Sequence, residues 1–169
     1  AISAITLVFG SLSEAGIGSA LIQKKNADNG YVNTSFTISF ISGSVFALLL
    51  IALSGILSKT IIDESIKVPF IFMSITILCN SLTSVNTSVM YRRLEFLQVG
   101  MVNFLALVIS SSIAIGLALK GMGFEAIISK AILQSLTATV LSYFLAKTKY
   151  RFQIECKDIG AIVNFGGWL

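Results

Sequence analysis

Histidine is absent from this 169-residue sequence, proline occurs once, cysteine twice, and only 12% of the residues are charged. Without histidine there is no imidazole general base and no histidine-ligated metal. Cys79 and Cys156 are isolated from each other, which excludes a four-cysteine zinc site and a disulfide framework. Soluble domains carry about 25% charged residues, roughly double the share here, and the mean hydropathy of +0.89 points the same way. The sequence has no GxxxxGK[ST] phosphate loop, no GxSxG, no HExxH and no CxxC. Its acids, Asp28, Asp63, Glu64, Glu95, Glu125, Glu155 and Asp158, are scattered, and the adjacent pair Asp63-Glu64 reads as a solvated loop. Nothing here assembles a catalytic constellation or calls for a cofactor or metal, so the expectation is a protein that is not an enzyme.

What is abundant is long apolar runs. Five occur, at about 2–22, 34–57, 68–90, 98–119 and 124–146. Each has the ~20 residues that a helix needs to cross roughly 30 Å of hydrocarbon. Backbone groups in lipid must be satisfied within the segment, so helices follow; a spanning strand would need only about ten alternating residues. Core helices of a soluble protein would carry a charged face, whereas here the off-face residues are Ser, Thr and Asn. A cleaved signal peptide is a poor reading of residues 2–22, because no basic region precedes them. Pro69 stands at the start of the third run, where a helix tolerates it. The fold class expected is all-α, an integral membrane helical bundle. The segment 158–169 opens on Asp158 and turns apolar, as the start of a further helix would. The chain begins at Ala1 and stops inside an apolar run at Trp168-Leu169, so the expectation is a piece of a longer protein.

Alternate connections of a five-span bundle lie on opposite sides. One side carries Lys24, Lys25, Arg92, Arg93, Lys147, Lys149, Arg151 and Lys157; the other carries Lys59, Lys67 and Lys120. Lys and Arg accumulate in cytoplasmic loops, which makes the first side cytoplasmic. The net charge of +4 is accounted for by these loops and needs no nucleic-acid partner. Contact with anionic membrane lipids is the secondary reading of the same residues.

The polar residues inside the runs fall on faces. Thr76, Asn80, Thr83, Ser84 and Thr87 recur at helical spacing in the third run, and Tyr91 extends the stripe to its cytoplasmic end. Lys130, Gln134 and Thr137 share a face of the fifth run, and Asn103, Ser110 and Ser111 mark the fourth. Such residues either hold helices together by hydrogen bonds and close packing or line a water-filled cavity; the pattern alone is compatible with both. Glu14 and Lys130 are ionisable groups deep in spans, which cost about 3 kcal/mol or more and normally face a bundle interior. Glu14 lies ten residues before Lys24, about 15 Å along a helix, and Lys130 lies roughly 9 Å into its run. Snorkelling or a structural ion pair is one reading of these charges, and a substrate-facing cation and a proton-exchanging carboxylate is the other.

Several segments resemble a known family. Residues 13–25, SEAGIGSALIQKK, are similar to the "ElGlssALIqkk" segment of bacterial polysaccharide exporters. In the same order, Tyr91-Arg92-Arg93-Leu94-Glu95-Phe96 resembles a basic "R-R-x-x-F" segment after a span. Gly121-Met122-Gly123-Phe124-Glu125-Ala126 resembles an outer "G-x-G-[WF]-x-A" turn, and Phe165-Gly166 an "FG" that opens a later helix. These are segments of the multidrug/oligosaccharidyl-lipid/polysaccharide superfamily, with the Wzx-like O-antigen and exopolysaccharide flippases the best match. The resemblance implies two helical lobes around a central cavity, with residues 1–157 a partial N-terminal lobe and 158–169 the start of the next helix. It implies a multi-pass protein of the bacterial inner membrane that moves a polyprenyl-diphosphate-linked oligosaccharide outward, alongside glycosyltransferases and a polysaccharide polymerase. On that basis Lys130 would face anionic substrate, Gln134, Asn80 and Asn103 would bond sugar hydroxyls, Glu14 would take part in ion coupling, and Lys24, Lys25, Arg92 and Arg93 would form the cytoplasmic basic rim. Other branches of the superfamily, multidrug antiporters and peptidoglycan-precursor flippases, share the architecture, and a non-transporting membrane assembly subunit is the alternative of a different class. If Glu14 couples ions, Glu14→Gln in the full-length protein is expected to flatten the pH dependence of transport, measured as export rate against external pH.

Overall fold

The computed structural model describes residues 17–24, 28–60, 67–148 and 150–153. They form five helices and, among the described residues, no strand: α1 (Ile17–Gln23), α2 (Asn29–Thr60), α3 (Lys67–Arg92), α4 (Phe96–Leu119) and α5 (Gly123–Ala146). Four of them, α2 to α5, are long and apolar enough to cross a membrane. The class is the all-helical membrane bundle expected from the apolar runs. Most of the first expected span, with Glu14, lies outside the described residues, as do Lys25 and the segment 158–169.

Each long helix begins before its apolar run. The second run starts near 34, but α2 starts at Asn29. A hydrophobic run measures hydrocarbon thickness, whereas a helix continues into the interface until something stops it. Between α3 and α4 the stop is Leu94 at φ 59°, with the Leu94 amide donating to the Tyr91 carbonyl at 3.0 Å and the Glu95 amide to the Met90 carbonyl at 3.0 Å. Between α4 and α5 it is Gly121 at φ 85°, a left-handed position that glycine occupies without a Cβ penalty.

α3 is the hub. Half of its membrane window is buried, against 17% for α4, and α1, α2, α4 and α5 all touch it. The α3–α5 seam runs in parallel with a constant offset. Thr83 Oγ1 lies 2.9 Å from Thr139 Oγ1, Asn86 Nδ2 donates to Ser142 Oγ at 3.0 Å, and Met90 and Ala146 share a buried cluster. Positions 83, 86 and 90 thus meet 139, 142 and 146, alternating steps of three and four that give a parallel pair a continuous seam. Thr139 Oγ1 also lies 3.0 Å from the Cys79 carbonyl, one step further along. At the end of α5 the Arg93 guanidinium donates to the Ala146 carbonyl at 2.6 Å.

Beyond α5 the chain folds back onto α2. The Arg151 amide donates to Asn33 Oδ1 at 3.0 Å, and Thr37 Oγ1 donates to the Gln153 carbonyl at 3.3 Å. The Phe36 and Tyr150 rings stack at 4.3 Å. Burial in this contact pushes the Tyr150 phenol up to about 12, so the ring is neutral at physiological pH.

The α2–α3 seam depends on Gly43. A Cβ there would collide with the Ser81 side chain and sit 3.5 Å from Leu78 Cα, so the two helices approach to backbone distance. Gly43→Ala is expected to destabilise the full-length protein in detergent by about 1–3 kcal/mol, the usual cost of overpacking. Ser81→Gly added to it should restore most of the loss; equal thermal stability of the wild type and Gly43→Ala would disprove the close approach.

Candidate functional site

The polar stripe of α3 divides between two environments. Thr76 is buried, and its hydroxyl donates to the Met73 carbonyl at 2.6 Å. Asn80, Thr83, Ser84, Thr87 and Tyr91 instead line a groove that Val99 and Asn103 of α4 close from the other side. Its volume is about 210 Å³. Asn80 precedes Arg92 by twelve residues, so the groove reaches about 18 Å from the Arg92 end of α3 at helical rise. Asn103 lies seven residues after Phe96, about 10 Å along α4. Tyr91 stands at the mouth, its ring 5.9 Å from that of Phe96.

The chemistry on offer follows from how the hydroxyls are used. Thr87 Oγ1 donates to the Thr83 carbonyl at 2.9 Å, and Thr83 Oγ1 lies at the same distance from the Cys79 carbonyl. Their protons are spent on their own helix, as serine and threonine in apolar helices commonly do, which leaves oxygen lone pairs as acceptors. Asn80 and Asn103 are exposed on the groove and each brings two N–H donors and a carbonyl acceptor. Among the described residues the lining carries no charged side chain. It is a surface for a neutral, multiply hydroxylated group.

Lys130 and Gln134 do not join it. Lys130 lines a separate cleft of about 380 Å³ between α4 and α5, toward their Lys120 end, with Ser111, Ala114, Ala118, Ala126 and Ile127. Gln134 is half-buried on α5 and lines neither space. The reason is rotational. α5 presents Ser135, Thr139 and Ser142 to α3, and the face of Lys130, Gln134 and Thr137 is turned well away from that seam. A third cleft, of about 210 Å³, lies on the far side of α3 among Phe36, Leu82, Asn86, Val140 and Phe144.

The basic residues expected at the cytoplasmic rim have packing roles as well as charge. Lys24 Nζ sits 3.7 Å from the centroid of the Tyr31 ring, a cation–π contact. Arg93 holds the last carbonyl of α5 and lies 3.4 Å from Thr148 Oγ1, a cation placed where a helix C-terminus attracts it. Arg92 is half-buried at the end of α3. The residues that sequence reasoning passed over are Ser135, Thr139 and Ser142; their signal was the repeat of the 83, 86, 90 spacing at 139, 142, 146.

Four membrane-length helices around a polar hub, with large hydrophobic side chains such as Phe104, Ile115, Leu119 and Phe144 exposed on the outside, define a helical integral membrane protein. The family can also be stated. A profile of the polysaccharide biosynthesis protein family matches residues 1–169, and the chain belongs to that family. Comparisons with curated proteins and with solved structures give no match. The protein is therefore a membrane component of polysaccharide synthesis or export.

Arg93→Ala is expected to loosen the end of α5, since a charge-assisted hydrogen bond contributes about 1.5–3 kcal/mol. Trypsin cleavage at Lys147 and Arg151 of the full-length protein should accelerate several-fold, with Arg93→Lys intermediate; unchanged cleavage kinetics would remove Arg93 as the latch.

Proposed function

We propose that the protein is a flippase of the bacterial inner membrane that carries the sugar portion of a polyprenyl-diphosphate-linked oligosaccharide across the bilayer, for O-antigen, capsule or exopolysaccharide assembly. The observation that supports this reading best is the groove itself: uncharged hydrogen-bonding groups from α3 and α4 gathered within membrane-spanning helices. Moving a hydroxyl from water into hydrocarbon without a partner costs about 4–8 kcal/mol on an alkane scale. A sugar ring carries several hydroxyls, so unaided crossing is prohibitive and each must be handed a substitute for water. Asn80 and Asn103 supply donors and acceptors, and Thr83 and Thr87 supply acceptors. Tyr91 offers an aromatic surface at the mouth, where the apolar face of a sugar ring can rest. The role is binding and passage, without covalent chemistry. Glycosyltransferases would supply the lipid-linked substrate and a polymerase would consume it.

The test is the double substitution Asn80→Leu with Asn103→Leu in the full-length protein. Losing two hydrogen-bonding side chains at ~1 kcal/mol or more each is expected to lower export at least about tenfold. Surface polysaccharide should fall, lipid-linked oligosaccharide should accumulate on the cytoplasmic side, and the protein level should stay unchanged. Normal polysaccharide with altered drug susceptibility would favour the antiporter branch. Loss of polysaccharide without accumulation of the lipid-linked intermediate would place the protein in assembly instead.

A further inference from the structure

We infer that the cleft between α4 and α5 is a binding site for an anionic membrane phospholipid, with its phosphate on Lys130 and an acyl chain along the alanine-rich floor. This does not rest on the transport reading. The cleft opens toward the Lys120 end of the helix pair, and its walls are Ser111, Ala114, Ala118, Ala126 and Ile127. Where α4 and α5 pack closely they do so through Val99, Val102 and Leu145, near their other end. Small side chains at the Lys120 end leave about 380 Å³ unfilled between the helices. In a bilayer such a space fills with hydrocarbon, and a continuous alkyl chain matches an alanine and isoleucine surface better than any sugar.

The charge decides which lipid. Lys130 is half-buried and, among the described residues, pairs with no carboxylate. Glu125, the acid of the same helix, is exposed and precedes it by five residues, off the three- or four-residue spacing of helical neighbours. Lys130 follows Gly123 by seven residues, about 10 Å along the helix. From that depth a lysine stem can run along the cleft with its ammonium reaching back toward the headgroup region. An uncompensated ammonium at that depth seeks an anion, and an anionic headgroup supplies one at the level the side chain reaches. The cleft shares no lining residue with the polar groove, which separates this lipid from a sugar occupying Asn80 and Asn103.

Native mass spectrometry of the detergent-purified full-length protein, titrated with phosphatidylglycerol or phosphatidylcholine, tests the assignment. The wild type should retain phosphatidylglycerol about fivefold better, the contribution of one basic residue at an anionic lipid. Lys130→Gln should abolish that preference and Lys130→Arg should keep it. Ala118→Phe, which fills the cleft and leaves the charge, should lower phosphatidylglycerol retention, whereas Asn80→Leu should not change it. No preference in the wild type, a preference that survives Lys130→Gln, or retention indifferent to Ala118→Phe would each overturn the proposal.

Discussion

Hydrocarbon offers no hydrogen bonds, so every polar atom that α3 carries into the membrane must be answered by another atom of the chain or left to meet something that is not the chain. α3 carries many: Ser74, Thr76, Asn80, Ser81, Thr83, Ser84, Asn86, Thr87 and Ser88. Most are settled locally. Ser74, Thr76, Ser81 and Ser88 return their protons to carbonyls three or four residues back. Across the seam to α5 the Asn86 amide nitrogen donates to Ser142 and Thr83 Oγ1 lies against Thr139 Oγ1, while the buried Asn86 Oδ1 has no partner among the described residues. Two amides are then left: the Asn86 oxygen, buried beside the far cleft, and Asn80, exposed on the groove. The groove is thus the exposed part of the α3 polar surface, open to something that is not the chain.

The same accounting separates the scaffold from the site. Ser81 lies at the close approach of Gly43, and Ser84 and Ser88 lie at that of Gly18, where an added Cβ would stand 2.7 Å from Ser88 Oγ. Hydroxyls at those contacts are small enough to let backbones come together, and the Ser81 and Ser88 protons are already spent on their own helix. Threonine and serine on α3 are therefore chiefly adhesive. The asparagines divide by depth of burial: Asn86 is 1% exposed and pairs with Ser142, while Asn80 and Asn103 are open. One residue type serves packing in one place and a binding surface in another, and only the neighbouring helix determines which.

That dependence explains how much of the architecture was legible in the residues. The four described spans and their helical type follow from run length, because nothing but a helix can occupy twenty apolar residues in lipid. The α3 stripe was legible from spacing, since five of its members lie on one face whatever surrounds them. Its meeting with Asn103 was not, because that requires the rotation of α4 about its own axis. The fifth run shows the limit most clearly. Lys130, Gln134 and Thr137 form the more conspicuous stripe, yet Ser135, Thr139 and Ser142 form the one that packs on α3. A charge in an apolar run draws attention to its own face, but burial of a charge is expensive, and the inexpensive seam is built from hydroxyls. The shared three-and-four spacing of residues 83–90 and 139–146 carries that information, and only pairing two parallel helices makes it readable.

The unequal packing around α3 also says where this chain can yield. α5 is tied to α3 by matched polar layers and by the Arg93 latch, and α2 by a backbone-close glycine contact. α4 touches α3 far more lightly and rests mainly on α5. Its own Ser110 and Ser112 bond back to the Leu107 and Val108 carbonyls, so no side-chain hydrogen bond fixes α4 to the hub at those positions. The polar groove lies between α3 and α4, the pair with the least to lose on separation. The apolar cleft and the polar groove share no lining residue, yet α4 supplies a wall of each, the groove through Val99 and Asn103 and the cleft through Ser111, Ala114 and Ala118.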